Sequence, residues 1–264
     1  MTAPKRAAVI ATGWVGDTIA CSAAAASLHE ERGFAVDFYI KWPQLASVLR
    51  ADPRYRTHVY QDTRWGRWQL WQRCRDYHLI VREPAGWTYD EPFTSEIRRQ
   101  AGCFVRPDYS LPRPPSGLAG SMPAATQRPR LAVARDLYKR AYGRDVDALV
   151  SQLNESFELV WVGLPPDKSS KRGRRLDLMP DAVAMCQAAG FVGPEGGLLW
   201  LAAGLGVRCA YFTEHIAHVA ESTPRGDPWR ALGSVNLFPD GPHVALPAQC
   251  NNDSALAQIQ TLFS

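Results

Sequence analysis

Apolar positions along this chain fall into two alternating kinds of pattern. Short unbroken apolar runs are followed by longer stretches in which apolar residues recur every three or four positions. "RAAVIA" (6–11) reads as a buried strand. After a glycine turn, Ile19, Ala23 and Ala26, with Ala20, Ala24 and Ser27, follow helical spacing from Asp17 to Arg32. Gly33 stands where a left-handed cap would stop that helix. "FAVDFYI" (34–40) then resumes as a strand, so 6–40 is a strand–helix–strand unit with parallel pairing and a right-handed crossover. A helix over 42–50 and a strand at "YHLIV" (77–81) continue the alternation.

The stretch 107–130 is dense in Pro, Gly and Ser and reads as an exposed connection. The alternation restarts beyond it. Strands are expected at 130–134, 157–163, 190–193 and 207–212, with helices at 144–154, 180–189 and 197–205. A last helix, "NDSALAQIQTLF" (252–263), takes Asn252 or Asp253 as its cap. The expected organisation is two α/β domains, 1–112 and 130–264, joined by a linker at 113–129 and facing a cleft.

Composition narrows the class without naming a chemistry. With 46% hydrophobic residues the 264-residue chain can bury a sizeable core. A net charge of +4 favours anionic ligands such as phosphates but falls short of a dedicated nucleic-acid binder. The six cysteines form no CxxC pair, and several sit in apolar runs, so they read as reduced thiols in a cytoplasmic protein. Lys5 and Arg6 precede an apolar run in the manner of a leader, but Gly13, Gly16 and Asp17 interrupt it too soon. No segment is apolar for the ~20 residues that a membrane span needs.

Two turns could carry chemistry. "TGWVGD" (12–17) is neither GxGxxG nor GxxxxGK[ST], so it indicates neither a dinucleotide site nor an NTPase. It does follow a parallel strand, at the edge where open α/β sheets bind ligands. There Asp17 can cap its helix, worth ~1 kcal/mol, or accept a proton from a hydroxyl, and the spacing leaves both roles open. "FVGPEGGLLWLAAGLGV" (191–207) runs a short strand into Glu195, Gly196 and Gly197 and then an apolar helix. Bare amides at such a helix start form a natural anion site, and Glu195 could accept from ribose hydroxyls. A plain tight turn fits the same residues.

"GDTIACSAAAASLHEE" and "FVGPEGGLLWLAAGLGV", taken together, resemble glycosyltransferase family 9, the heptosyltransferase-like enzymes. "FELVWVGLPPD" and "DLMPDAVAMCQAAGFVG" match the family's order. The resemblance implies a GT-B fold, two Rossmann-like α/β/α domains around a cleft, and metal-independent transfer of a sugar from a nucleotide-diphosphate donor to an acceptor hydroxyl. It implies Asp17 as the general base, with Gly13, Trp14 and Gly16 on the acceptor side. The donor side would fall on Glu195, Gly196, Gly197 and Leu198, on Lys139 (Arg135 and Arg140 being rivals), and on Thr213 and His215. The nucleotide sugar is a co-substrate, and no resident cofactor is implied. The chain departs from the family in having Glu195-Gly196-Gly197 for an Asp-Ser/Thr-Gly turn, and Trp200 for a histidine.

Three further stretches stand out in composition. In "TEHIAHVAE" (213–221), Glu214, His215, His218 and Glu221 share helical spacing, but no third strong ligand joins the two histidines, so no metal site is expected. "RWGRWQLWQRCR" (64–75) reads as a helix burying Trp65, Trp68 and Trp71 with its arginines outward, or else as a stacking platform for an acceptor. "KSSKRGRR" (168–175) reads as a solvated loop or a polyanion contact. The last two leave open a glycosyltransferase acting on hydroxylated bases of a nucleic acid acceptor. A non-catalytic sugar-nucleotide-binding module is a further alternative.

Overall fold

The computed structural model describes residues 4–83, 99–102, 111–114, 128–139, 143–164, 177–213, 242–247 and 250–264. Contacts divide them into two compact units. The first holds the described residues up to Pro112 together with Asp177–Met179, and the second holds the rest.

In the first unit, β1 (Arg6–Ala11), β2 (Ala35–Ile40), β3 (Tyr55–Val59) and β4 (Leu79–Arg82) form a parallel sheet ordered β3-β2-β1-β4. β1 is the buried run expected, with Ala7 to Ala11 all removed from solvent. Helix α1 (Val15–Arg32) crosses from β1 to β2 with its Ala-rich middle buried. It ends at Gly33, whose φ of 66° is the left-handed cap, and Gly33 N–H donates to His29 O (3.0 Å). The expected helix at 42–50 is a short 3₁₀ turn (Pro43–Leu45) followed by α2 (Ala46–Arg50).

Helix α3 (Arg64–Cys74), capped by Thr63, corrects the expected orientation. It buries Gly66, Leu70 and Cys74, while Trp65, Trp68 and Trp71 are 62%, 48% and 49% exposed. Leu70 and Cys74 pack with Ala8, Ile10 and Tyr39 on one face of the sheet.

The second unit carries β5 (Arg130–Ala134), β6 (Glu158–Val162), β7 (Gly190–Pro194), β8 (Cys209–Thr213) and β9 (His243–Pro247), all parallel, in the order β6-β5-β7-β8-β9. Its helices are α4 (Val146–Ser156), α5 (Met179–Cys186), which begins at the last residue of the first unit, α6 (Gly197–Gly204) and α7 (Asn252–Phe263). α7 has the expected length, but its cap is Asn251, whose Oδ1 accepts from Ser254 N–H (2.8 Å). The core joins Leu131, Val133, Val192 and Phe212 of the sheet to Leu149, Leu153, Ile259 and Phe263 of α4 and α7. α7 reaches β7 through Gly190, where any Cβ would enter the Phe263 ring.

β3 and β9 were not expected from the sequence. Both are edge strands, and each mixes exposed or half-exposed positions with buried ones. Their hydrophobic pattern is correspondingly weak.

Candidate functional site

The carboxyl ends of the parallel strands position the candidate groups in each unit. In the first unit β1 ends at Ala11, the chain turns through Thr12, Gly13 and Trp14, and α1 begins at Val15. Asp17 is therefore not the N-cap but the third residue of the helix. Its Oδ2 reaches back and accepts from Trp14 N–H (2.7 Å). Among the described residues, Oδ1 accepts no hydrogen bond. Gly16 is buried in the first turn of the helix, whereas Trp14 is 74% exposed.

A second carboxylate, which sequence reasoning missed, meets the same turn. Glu83 follows β4 directly and continues its ladder by donating its N–H to Ile10 O (2.9 Å). Glu83 Oε2 accepts from Thr12 N–H (2.6 Å) and from Gly13 N–H. The three successive amides of residues 12–14 are thus held by two carboxylates of the chain itself. In many α/β folds amides at this place bind an anionic ligand. Here the protein's own acids occupy them, which marks this turn as a poor phosphate site. A Cβ at Gly13 would overlap both Glu83 Oε1 and Asp17 Oδ2, so the two acids lie within a few ångströms of each other on either side of the glycine.

Burial pushes the Asp17 carboxyl above its ordinary pKa, partly opposed by the Trp14 amide and the Lys41 ammonium. Burial also raises Glu83, and the neighbouring Asp17 charge adds to it, while the Gly13 and Thr12 amides and Lys41 oppose. Tyr60, whose O–H donates to Ala11 O (3.3 Å), is pushed up to about 12 by burial, helped by Asp62 and Glu83. Beside the pair, Trp42 Nε1–H donates to Gly13 O (2.6 Å) and its ring stacks on Trp14 with centroids 5.6 Å apart. Lys41 Nζ lies 5.4 Å from the Trp42 ring and 4.0 Å from Asp62. The result is a carboxylate of raised proton affinity with one oxygen tied down, next to an exposed aromatic surface. Such a group can take a proton from a bound hydroxyl. A residue following a parallel strand next to β1 was the available signal for Glu83, but the pairing of β1 with β4 had to be known first.

In the second unit β7 runs into Glu195 and Gly196, and α6 starts at Gly197. The first amides of a helix have no partner within it and carry the positive end of its dipole. Leu198 is half-buried, with its Cδ1 against Gly163 at the end of β6. Thr213, buried at the end of β8, donates its hydroxyl to Glu195 Oε2 (3.0 Å), and Glu195 N–H donates to Phe212 O (3.0 Å). The Glu-Gly-Gly turn is thus braced by the neighbouring strand. Lys139 ends a 3₁₀ turn (Arg135–Tyr138) after β5 and pairs with Asp136 Oδ1 (3.1 Å). Because β5 pairs with β7 in parallel, Lys139 and Glu195 follow neighbouring strands at the same sheet edge. Near it, and not expected from the sequence, Trp161 of β6 carries Tyr138 (centroids 5.9 Å apart) and the Arg135 guanidinium (5.7 Å). His215, the rest of 214–221, Arg140 and the basic stretch 168–175 lie outside the described residues. Among the described residues no group of three His, Cys, Asp or Glu could hold a metal ion. Among them, too, no helix is long and apolar enough to cross a membrane.

Comparison with solved structures decides the fold. A glycosyltransferase family 9 protein from Veillonella parvula superposes over 100% of this chain and 98% of its own, with a TM-score of 0.66 at 10% identity. The Escherichia coli heptosyltransferase WaaC, solved with ADP, gives 0.60 at 13% identity, covering 97% of this chain and 99% of that one. This chain has the GT-B fold of the family 9 glycosyltransferases. The family 9 fold also relates it to the E. coli ADP-heptose LPS heptosyltransferase II (0.59, 11% identity, 98% of each chain). With the iron-containing dodecameric glycosyltransferase TibC of enterotoxigenic E. coli the match is partial. It has a TM-score of 0.56 at 13% identity and covers 82% of this chain, which spans 61% of TibC. No family model and no curated protein matches the sequence itself.

Proposed function

We propose that the chain is a metal-independent glycosyltransferase of the heptosyltransferase type, with Asp17 as the general base. The observation that carries this reading is the split role of the Asp17 carboxylate. Oδ2 is held by the Trp14 amide, whereas Oδ1 accepts nothing among the described residues and the group's proton affinity is raised. In the proposed step the acceptor O–H proton passes to Asp17 Oδ1 and the acceptor oxygen bonds to the anomeric carbon. The bond from that carbon to the diphosphate breaks, and its electron pair leaves with the diphosphate. The amides at the start of α6, around Gly196, Gly197 and Leu198, stabilise the charge that develops there. Lys139 would join them on leaving Asp136. Occupation of the residue 12–14 amides by Glu83 and Asp17 supports placing the donor phosphates in the second unit.

The donor class is tested by thermal shift with ADP, GDP, UDP, CDP, dTDP and their sugar conjugates. A ligand at ~100 times its Kd adds ~2.7 kcal/mol of stability. A shift with one nucleotide fixes the donor, and the ADP bound by WaaC makes ADP the first to try. Asp17→Asn should then keep that shift and lose about 10²–10⁴ in transfer rate. Unimpaired transfer in the variant removes Asp17 from the mechanism. Donor binding by the wild type without transfer to any acceptor identifies a binding module instead.

A further inference from the structure

The tryptophans of α3 are unused by this site and point outward, in company with four exposed arginines. Trp65, Trp68 and Trp71 are half to two-thirds exposed, and Arg64, Arg67, Arg73 and Arg75 surround them, with no acid between residues 64 and 75. Only Gly66, Leu70 and Cys74 are buried, so the outer surface of the helix is aromatic and cationic apart from Gln69 and Gln72.

The ring contacts narrow what such a surface can hold. Trp65 and Trp68 stack on each other with centroids 4.6 Å apart and planes 18° from parallel. Arg75 covers a face of Trp71, its guanidinium carbon 4.2 Å from the ring centre. A platform for bases or sugars needs open ring faces. Here the inner faces of the Trp65–Trp68 pair and one face of Trp71 are taken. Exposed ring edges beside arginines suit the boundary of a lipid bilayer. There the indole body sits among the upper acyl chains, its N–H meets the headgroups, and the guanidinium groups meet phosphate. The unbroken positive charge of the helix is complementary to a surface of uniform negative charge. Asp62, 3.4 Å from Arg67, is the acid in contact with this face among the described residues.

We propose that the outer face of α3 docks the protein on anionic phospholipid bilayers, with Trp65, Trp68 and Trp71 entering the headgroup boundary and Arg64, Arg67, Arg73 and Arg75 binding lipid phosphates. This surface borders the Asp17–Glu83 site through Asp62, which lies 4.0 Å from Lys41 and 3.4 Å from Arg67, but the proposal does not depend on the transfer reaction.

The test is flotation of the full chain with vesicles of phosphatidylcholine alone and of phosphatidylcholine with phosphatidylglycerol. Binding is expected to the anionic vesicles only, and to weaken as salt screens the arginines. Replacing Trp65, Trp68 and Trp71 together by Ser should abolish it. Because these side chains are exposed, the variant's thermal melt should match the wild type. Should that variant unfold, R64Q/R73Q removes charge alone and should weaken binding about fivefold for each arginine lost. Failure of the wild type to float with anionic vesicles overturns the proposal, whether or not the protein binds duplex DNA in the same buffer. So does equal flotation of the wild type and the folded variants.

Discussion

Asp17 and Glu83 grip the three consecutive amides of one turn from two directions, Asp17 Oδ2 at Trp14 N–H (2.7 Å) and Glu83 Oε2 at Thr12 N–H (2.6 Å) and Gly13 N–H. Sixty-six residues of sequence separate them, and Gly13 lies between their carboxylates. The turn therefore works as a unit, and changes to it should show in both stability and protonation.

Gly13→Ala forces a methyl group into both carboxylates. Overpacking of this kind costs about 1–3 kcal/mol. The variant should melt below the wild type and lose transfer more completely than its loss of stability explains, because the proposed base is displaced. A melt and a donor-binding shift on the same sample separate the two effects.

The two carboxyls should titrate as a coupled pair, both above their ordinary ranges. A carboxyl whose pKa is raised on folding binds more protons folded than unfolded, so its contribution to stability falls as pH rises through the window between the two values. Asp17→Asn removes the like charge beside Glu83 and should lower the Glu83 pKa, read by carbon-13 NMR of the side-chain carboxyl. An unchanged Glu83 titration would show that the acids do not sense each other. Transfer should decline as pH falls through the raised Asp17 pKa, since the proposed base acts only when ionised.

Asp37 behaves in the opposite sense. Its carboxylate, 2% exposed, accepts from Arg6, Arg56, His58 and Tyr77 at 2.7–3.1 Å. Burial pushes its pKa up, but the hydrogen bonds from His58, Tyr77, Arg6 and Arg56 outweigh it and hold the group at about 2. A lowered folded pKa gives stability that is present above the unfolded value and lost as pH falls through the folded one. Acid unfolding should therefore set in between about pH 4 and pH 2. Asp37→Asn should cost about 2 kcal/mol in urea unfolding at neutral pH, since the donors, being partly exposed, can turn to water. The variant should also lose part of the acid dependence.

Gly190→Ala should destabilise the second unit by about 1–3 kcal/mol, because the new methyl group enters the Phe263 ring. Pairing it with Phe263→Leu should give a loss smaller than the sum of the single changes. A double-mutant cycle on thermal unfolding measures that coupling directly.

Much of this architecture is local and can be read along the chain. The buried run 6–11, the left-handed stop at Gly33 and the helix at 252–263 follow from residue periodicity and from glycine's freedom at positive φ, which act over a few residues. Asp17 was legible too, as an acid at the start of a helix after a parallel strand, although its place as third residue with a bond back to Trp14 was not.

Two matters were decided only when the chain folded. The first is which stripe of α3 turned inward. Trp65, Trp68 and Trp71, three apart, drift about 120° around the helix, whereas Gly66, Leu70 and Cys74, four apart, drift about 80° and form the narrower seam. Packing settles it: Leu70 and Cys74 meet Ala8, Ile10 and Tyr39 of the sheet, while Gly66 lets the start of the helix close on the Gln61 carbonyl oxygen of its own lead-in. The second is Glu83. Nothing in residues 79–83 announces an acid that meets the residue 12–14 turn. It meets Thr12 and Gly13 only because β4 pairs with β1 in a register that sets Ile10 against Arg82. The sequence by itself determined the elements and the first acid, since those rest on neighbours in the chain. The tertiary structure decided the second acid and the exposed aromatic face, since those rest on strand order and on which surfaces could come close enough to pack.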